Sequence, residues 1–195
     1  MMGSPSTENG HDAGEAQHEV IIPCGFWLAE NETTQKLWNA VMGKENNHSD
    51  HQGDNNPVER VSWEDSQDFI GKIQEHAPKG MKFKLPSEEH WEYACRAGTT
   101  TAYSFGDKWE PSQANIGFQT QRVGGYKENA WGLKDMHGNV WEWCDGRYED
   151  HYVFRGGGCP CVPESCRSAY RAGHQAVLMF YLSLGFRLEL IEENE

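Results

Sequence analysis

Hydrophobic residues recur at helical spacing just after residues 31–34. Leu37, Trp38 and Val41 fall on one face of the segment that follows. Gly43 comes directly after this pattern, at a position where a glycine commonly ends a helix. The pattern predicts an amphipathic helix that ends at Gly43.

Two further helices are predicted between residues 62 and 98. Residues 62–65, SWED, resemble a capping box, and Phe69 and Ile73 continue an amphipathic pattern after it. Ser87 is expected to cap a third helix that ends at Gly98.

The remaining apolar stretches predict short strands. Residues 20–28 predict a first strand, with Pro23 at an edge or a bend because proline has no backbone N–H to donate. From residue 99 onward glycine, asparagine and aromatic residues mix without a helical period, and strand-like stretches lie near 140–144 and 185–190. The order predicts an α+β fold with two or three helices, short irregular antiparallel strands and many loops.

The chain is predicted to form a single domain over residues 19–191. Residues 1–18 are polar and glycine-rich and predict a disordered tail, and residues 192–195 predict an acidic tail. The sequence has no apolar run long enough to span a membrane and no signal-peptide pattern. Membrane attachment is therefore expected only through a leader or lipid anchor outside this sequence.

The net charge of the chain is -13 at pH 7, from 17 Lys and Arg against 30 Asp and Glu. Binding to nucleic acid and polybasic attachment to membranes both need clustered positive charge, so this balance excludes both classes. Nine of the acids lie in residues 1–30 and 189–195, which contain no Lys or Arg, and without them the net charge is -4. Most of the negative charge therefore lies at or near the termini and does not indicate the charge of a binding face.

Five segments occur in the order and at the spacing typical of one protein family. They are residues 61–65 (VSWED), 85–94 (LPSEEHWEYA), 132–143 (GLKDMHGNVWEW), 155–158 (RGGG) and 184–188 (LGFRL). Together they make the chain resemble the formylglycine-generating-enzyme/sulfatase-modifying-factor family over about residues 20–190. The resemblance implies a C-type-lectin-like fold.

Most residues of these segments have chemistry that suits a structural role. Gly138 and Asn139 are expected in a left-handed or tight turn, and the glycines at 156–158 permit close approach of the backbone to its neighbours. Arg187 is expected to pair with a buried carboxylate or carbonyl.

One function that the resemblance implies is a copper-dependent oxidase that converts a substrate cysteine to formylglycine. Cys161 and Cys166 lie where the family has its catalytic pair, and soft thiolates suit Cu(I). Residues 166–171 (CRSAYR) resemble instead the non-catalytic branch of the family, and the substrate-binding signature of the oxidases is not recognisable in residues 172–183. The sequence therefore favours a protein that is not an enzyme.

A second interpretation starts from residues 159–162 and 172–183. Family members without oxidase activity often have Asn-rich stretches at these two places. Most residues found there, though not Gln175 or Met179, have a codon that differs from an Asn codon only at its adenines. This pattern resembles the variable proteins of diversity-generating retroelements, of the Treponema variable protein type, in which adenine-directed mutagenesis rewrites a ligand-binding face.

The resemblance implies that a variable region over about residues 155–187 binds a ligand. The expected contact residues are Cys159, Cys161, Val162, Ala172, Gly173, His174, Val177, Leu178, Phe180, Tyr181 and Leu182. Four Arg and one Glu lie in this region, which predicts a face that is not acidic. The alternative for residues 177–182 is a buried core strand, but a core cannot exchange Asn for Leu or Phe freely, because an unpaired buried amide is costly.

The resemblance also implies a setting for such a protein. It predicts a monomeric chain displayed on the bacterial cell surface, with an unidentified protein or other surface ligand as its partner and no nucleic acid. No catalytic residue, metal ion or cofactor is predicted.

Calcium is the one cofactor for which the family offers a partial match. Asn115, Ile116, Asn139 and Glu142 match calcium-binding residues of the family's enzymes. The acidic segment that completes the first of those sites is not evident between residues 117 and 132, so the family's calcium site is matched only in part.

Overall fold

The computed structural model describes residues 1–148, 151–172 and 183–193. The helices of these residues are α1 (Gln35–Met42), α2 (Trp63–Ile73) and α3 (Glu88–Arg96). The strands are β1 (Trp27–Leu28), β2 (Met81–Lys84), β3 (Trp141–Tyr148), β4 (His151–Arg155), β5 (Leu184–Gly185) and β6 (Glu189–Glu192). The α+β class predicted from the sequence is confirmed.

Each helix begins at a side-chain cap that lies next to it in the sequence. Thr34 Oγ1 caps α1 and Ser87 Oγ caps α3, each accepting from the backbone N–H three residues further on. Ser62 and Asp65 accept from each other's backbone N–H groups at the start of α2. These caps satisfy N–H groups that have no partner inside the helix. None of the helices in the described residues is long and apolar enough to cross a membrane.

The third helix ends two residues earlier than predicted. Ala97 has a φ of 46°, in the left-handed region, and its backbone N–H closes the last turn on Tyr93 O. The helix therefore ends at Arg96 rather than at Gly98.

The first sheet brings the two ends of the chain together. β6 lies between β1 and β2 and runs antiparallel to both. Residues 20–26 of the predicted first strand are not part of it, since only β1 pairs with β6. β6 extends through Glu192, and Glu193 N donates to Gly80 O, so the predicted acidic tail begins inside the domain.

The second sheet, in the order β4-β3-β5, holds the strands that flank the predicted variable region. β3 and β4 form an antiparallel hairpin, whereas β3 and β5 pair in parallel, with Trp141 opposite Leu184. Ala172 bridges to Phe154 on β4. The chain therefore leaves this sheet beside β4 and returns to it at β5, on the opposite side of β3.

Aromatic rings fill much of the space between the helices and the sheets. Trp38 of α1 stacks on Phe69 of α2 with ring centroids 5.5 Å apart, and both rings meet Phe186 edge-on. Trp141 of β3 packs edge-on against Phe154 of β4 at 5.2 Å. Because each ring buries a large area, a chain with 37% hydrophobic residues can form this core.

Two buried arginines join these elements through carboxylates. Arg187 Nε and Nη2 each donate to Glu142 at 2.7 Å, and Trp91 Nε1 donates to the same carboxylate at 2.6 Å. Arg155 pairs with Glu88 at 3.0 Å and with Glu92 at 3.1 Å, both on α3. The predicted pairing of Arg187 with a buried carboxylate is confirmed.

Residues 1–18 pack onto the domain and correct the prediction of a disordered tail. Ala13–Glu15 form a 3-10 helix, and Met2 and His18 form an antiparallel bridge. The carboxylate of Glu15 is buried and lies 2.7 Å from the guanidinium of Arg167. The composition of residues 1–18 did not reveal that they are folded, because Arg167, which pairs with Glu15, lies far along the chain.

Replacing Arg187 with Met is expected to lower the free energy of unfolding by about 3–5 kcal/mol, because it leaves the buried Glu142 carboxylate without its ion-pair partner. Urea denaturation followed by tryptophan fluorescence measures the change. The control is Lys84→Met, which removes a pair with Asp145 whose side chains are 29% and 53% exposed and should cost less than about 1 kcal/mol. Equal losses in the two variants would contradict the structural role of the buried pair.

Candidate functional site

The first predicted contact residues follow three tightly packed glycines. Gly156 and Gly157 have φ values of 93° and 78°, which residues with side chains rarely adopt. A Cβ on Gly157 would overlap Cys166 Sγ, and one on Gly158 would lie 2.9 Å from the backbone N of Trp141. The predicted close approach is confirmed, and it sets the path of the chain into the contact residues.

Cys161 and Cys166 come together around the 3-10 helix Pro163–Cys166. Their Sγ atoms lie 3.3 Å apart, and neither cysteine is in a disulfide. The hydrogen bond with the Cys166 thiol lowers the pKa of the Cys161 thiol, whereas burial raises the pKa of the Cys166 thiol well above its usual range. Since the thiolate is the nucleophile and metal ligand, the lower pKa and the greater exposure of Cys161 favour this thiol over Cys166 for such chemistry.

An aromatic cluster that was not identified from the sequence packs beside these thiols. Tyr103 stacks on Phe105 at 5.1 Å, and both rings meet His137 edge-on at 5.6 and 5.2 Å. Tyr103 Oη donates to the Pro163 carbonyl at 3.0 Å, which ties the cluster to the helix that carries Cys166. The signal available in the sequence was the concentration of aromatic residues over 103–109.

His137 also binds the 3-10 helix that carries Cys166, through its ring nitrogen Nδ1. Ser104 N donates to His137 Nε2 at 3.0 Å, so Nδ1 carries the ring proton and donates to the Cys166 carbonyl at 2.8 Å. Burial lowers the pKa of the imidazole to about 4. Both ring nitrogens are engaged in these bonds, so the imidazole positions the thiol-bearing segment.

The arginines of the predicted variable region pair with acids of the protein, three of them in the interior and Arg171 near the surface. Arg167 is 1% exposed and pairs with Glu8 at 2.7 Å, and Arg171 pairs with Glu88 at 2.7 Å. Arg155 and Arg187 are both fully buried. Because their charges are neutralised by acids of the protein, the number of arginines does not determine the charge of a binding face.

The structure separates the predicted contact residues into three groups. Cys161 is partly exposed and Val162 is 57% exposed. Cys159 and Ala172 are each 3% exposed, which corrects their prediction as ligand contacts: the thiol of Cys159 donates to Asn115 O, and Ala172 is paired with Phe154. The other seven lie outside the described residues: Gly173, His174, Val177, Leu178, Phe180, Tyr181 and Leu182.

The candidate calcium ligands hydrogen-bond to the protein itself. Asn139 Oδ1 accepts from Asn115 Nδ2 at 3.2 Å and from Gln121 N at 2.9 Å, and both Glu142 oxygens bind Arg187. Within the described residues no group of three His, Cys, Asp or Glu is arranged to hold a metal ion. As placed, the oxygens of Asn139 and Glu142 are engaged by donors of the protein. The bonds of Asn139 stabilise its turn, and the φ of 65° at this residue agrees with the predicted left-handed conformation.

Comparison with known sequences identifies relatives with and without catalytic activity. The family model of the sulfatase-modifying factor enzyme 1-like domain matches residues 1–190. The formylglycine-generating enzyme of Mycobacterium tuberculosis is 30% identical over 132 residues, covering 59% of this chain and 41% of that protein. The inactive C-alpha-formylglycine-generating enzyme 2 of Bos taurus is 33% identical over 120 residues, covering 51% and 37%. The chain thus spans about two fifths of the length of these relatives.

Two solved structures share the fold. Treponema denticola variable protein 1 superposes with a TM-score of 0.71 at 25% identity, over 84% of each chain. PvdO from Pseudomonas aeruginosa superposes with a TM-score of 0.83 at 22% identity, over 97% of this chain and 89% of that one. The likeness confirms the C-type-lectin-like fold that the motifs implied. With its match over residues 1–190, the chain belongs to the sulfatase-modifying factor enzyme 1-like domain family.

Proposed function

We propose that this protein binds a ligand without transforming it, through a recognition face that lies within residues 159–183. The observation that carries the proposal is the backbone hydrogen bonding on each side of residues 173–182. We call these two anchored positions, Ala172 and Leu184, the frame. Phe154 and Ala172 exchange two backbone hydrogen bonds of 3.1 Å, and Leu184 O accepts from Val61 N at 3.0 Å. Side chains between two such anchors can change while the scaffold stays folded.

The frame is stabilised by residues outside the predicted contact positions. Arg155 Nη1 donates to the carbonyls of Ser168 and Ala169 at 3.2 Å each, and Arg167 Nε donates to Glu164 O at 3.1 Å. These bonds hold the backbone of the segment that precedes Ala172. The scaffold and the recognition face therefore rest on different residues, as a diversified binding protein requires.

The comparison with known proteins supports the same function. Treponema denticola variable protein 1 shares the fold at 25% identity, and the adenine-related codons inferred for residues 159–162 and 172–183 support diversification by adenine-directed mutagenesis. Our proposal places a monomeric protein on the bacterial cell surface, anchored through a leader or a lipid, with a protein or other surface molecule as its ligand and no cofactor.

The thiol pair supports a second candidate function, the oxidation of a substrate cysteine to formylglycine. Two thiols 3.3 Å apart are a donor set that suits Cu(I), because soft ligands favour this ion. Cys161 would be the exposed ligand and Cys166 the buried one. Bound copper would supply activation of dioxygen. In this reaction the thiol-bearing methylene of the substrate becomes an aldehyde, and hydrogen sulfide and water are released. Dioxygen takes two electrons from the substrate and two from an added thiol reductant.

Replacing Phe180, Tyr181 and Leu182 together with Ser is expected to change the free energy of unfolding by less than about 1 kcal/mol, because surface substitutions cost little. The same triple variant should lose any specific partner that the wild type captures from an array of purified bacterial and host surface proteins. The control Phe186→Ser alters a fully buried ring and should cost several kcal/mol. A comparable loss of stability in the triple variant would identify residues 180–182 as core and contradict the recognition face.

Diversification predicts a feature of the genome that encodes this chain. A near-copy of the coding stretch for residues 155–187 should lie close to the gene and beside a reverse-transcriptase gene, and the two copies should differ at positions that are adenine in the near-copy. Genome sequencing tests this expectation. Differences spread over all four bases would refute adenine-directed mutagenesis, while leaving ligand binding to be tested as above.

The oxidase candidate predicts aldehyde formation. Incubation with Cu(I), dioxygen, dithiothreitol and a peptide carrying the sulfatase cysteine motif should yield an aldehyde, measured by mass spectrometry, only if the thiol pair is catalytic. Cys161→Ser should then abolish the yield, whereas Cys24→Ser, which changes an exposed cysteine elsewhere, should not. Our proposal expects no aldehyde from the wild type, and a clear yield would overturn it.

A further inference from the structure

A second surface, independent of the proposed recognition face, has the features of a binding groove. One wall is formed by Met1, Val20 and residues 22–28, and Tyr93 and Ala94 of α3 form the other with Trp131 and Leu133. The cavity between them has a volume of about 780 Å³, which lies within the range of ligand-binding clefts.

Large hydrophobic side chains are exposed in this groove. Trp27, Tyr93 and Trp131 line it and are 57%, 50% and 46% exposed. Soluble proteins seldom expose several large rings side by side, and such patches mark interaction sites. None of the three rings is used by the scaffold contacts or by the thiol cluster described above.

The rings are held in place by the structure around them. Tyr93 and Trp131 meet at 4.7 Å with an interplanar angle of 61°. Asn129 Nδ2 donates to Ala94 O at 2.8 Å, and Asn129 Oδ1 accepts from Trp131 N at 3.0 Å, so one side chain ties the loop carrying Trp131 to the end of α3. On the other wall, Phe26 stacks on His90 of α3 at 4.2 Å. A pre-formed groove of this kind loses little entropy when it binds.

The groove continues towards an ionised acid. A smaller cavity of about 290 Å³ shares Val20, Ile22 and Tyr93 with it and is also lined by Glu89. Glu89 lies one helical turn before Tyr93 on α3, so the two side chains share a face of the helix. Although burial opposes ionisation, hydrogen bonds from the backbone N–H of Glu89 and from Ser87 hold the pKa of this carboxyl below its usual value.

Few charged residues line the two cavities. Met1, which carries the terminal amino group, lines both of them, and Arg96 lines the smaller one. Glu30, which follows the first wall in the sequence, is bridged by Lys134. Glu92, which lines the smaller cavity, forms ion pairs with Arg96 and Arg155. Of the two acids that line the cavities, Glu89 is therefore the one that a ligand would meet.

We propose that this groove binds an extended peptide segment of another protein, with apolar side chains against Trp27, Tyr93 and Trp131 and a neighbouring Lys or Arg beside Glu89. Cations are also attracted to the faces of exposed Trp and Tyr rings, which adds to the same preference. The partner is thus a basic, amphipathic peptide rather than an acidic or purely apolar one.

Two fluorescently labelled peptides test this proposal, one of alternating leucine and lysine and one of alternating leucine and glutamate. Fluorescence anisotropy should detect binding of the lysine peptide, and the glutamate peptide should bind at least about ten-fold more weakly. Trp131→Ala and Glu89→Gln should each weaken binding of the lysine peptide by about ten-fold. The bound peptide should also slow alkylation of Cys24, an exposed thiol that lines the groove.

Matched variants outside the groove distinguish binding in the groove from nonspecific binding to other exposed rings and acids. Phe118→Ala removes a ring that is 87% exposed, and Glu64→Gln removes an exposed acid at the start of α2. Neither should change the affinity. Equal weakening by these controls, or equal binding of the glutamate peptide, would overturn the proposal. A homodimer that Trp131→Ala dissociates in sedimentation velocity would assign the groove to a second copy of the chain and overturn it too.

Discussion

The ion pair between Arg187 and Glu142 is the contact on which the rest of this fold depends. Both side chains are fully buried, and Glu142 also accepts from Trp91 of α3. Arg187 donates in addition to the carbonyls of Ala29, Glu30 and Lys134. This ion pair thus joins α3, β3, the segment after β1 and the loop before β3. Because a buried charge without a partner is costly, a different packing of these segments would be penalised.

A second cluster around Arg155 applies the same constraint to the proposed binding side. Arg155 ties α3 to the backbone of residues 168–169, and Arg167 binds Glu8 and Glu15 of the N-terminal segment. The described chain on either side of residues 173–182 is therefore held by ion pairs and hydrogen bonds in the interior. Under the proposed function, the residues that hold the fold would differ from those that bind the ligand.

Features set by neighbouring residues were predictable from the sequence. The starts of α2 and α3 were located because a capping side chain, Ser62 or Ser87, acts within one turn of its own position. The turn at Gly138 and Asn139 and the close packing at residues 156–158 followed from the conformations that these residue types allow. The strand predicted over 20–28 was too long, because strand formation requires a partner, and β6 pairs only with Trp27 and Leu28. Residues 1–18 were wrongly predicted to be disordered, because their acids pair with arginines in the distant part of the chain.

For this protein the sequence by itself determined the α+β class, the family, the starts of α2 and α3 and the position of the cysteines five residues apart. The tertiary structure decided which of the described residues are buried and which are exposed. It placed Cys159 and Ala172 in the interior, directed the arginines of residues 155–187 towards buried acids, and brought Trp27, Tyr93 and Trp131 from three separate segments to one groove. The physical reason is range: capping and backbone conformation act over a few residues, whereas burial and charge neutralisation depend on partners that only the folded chain brings into contact.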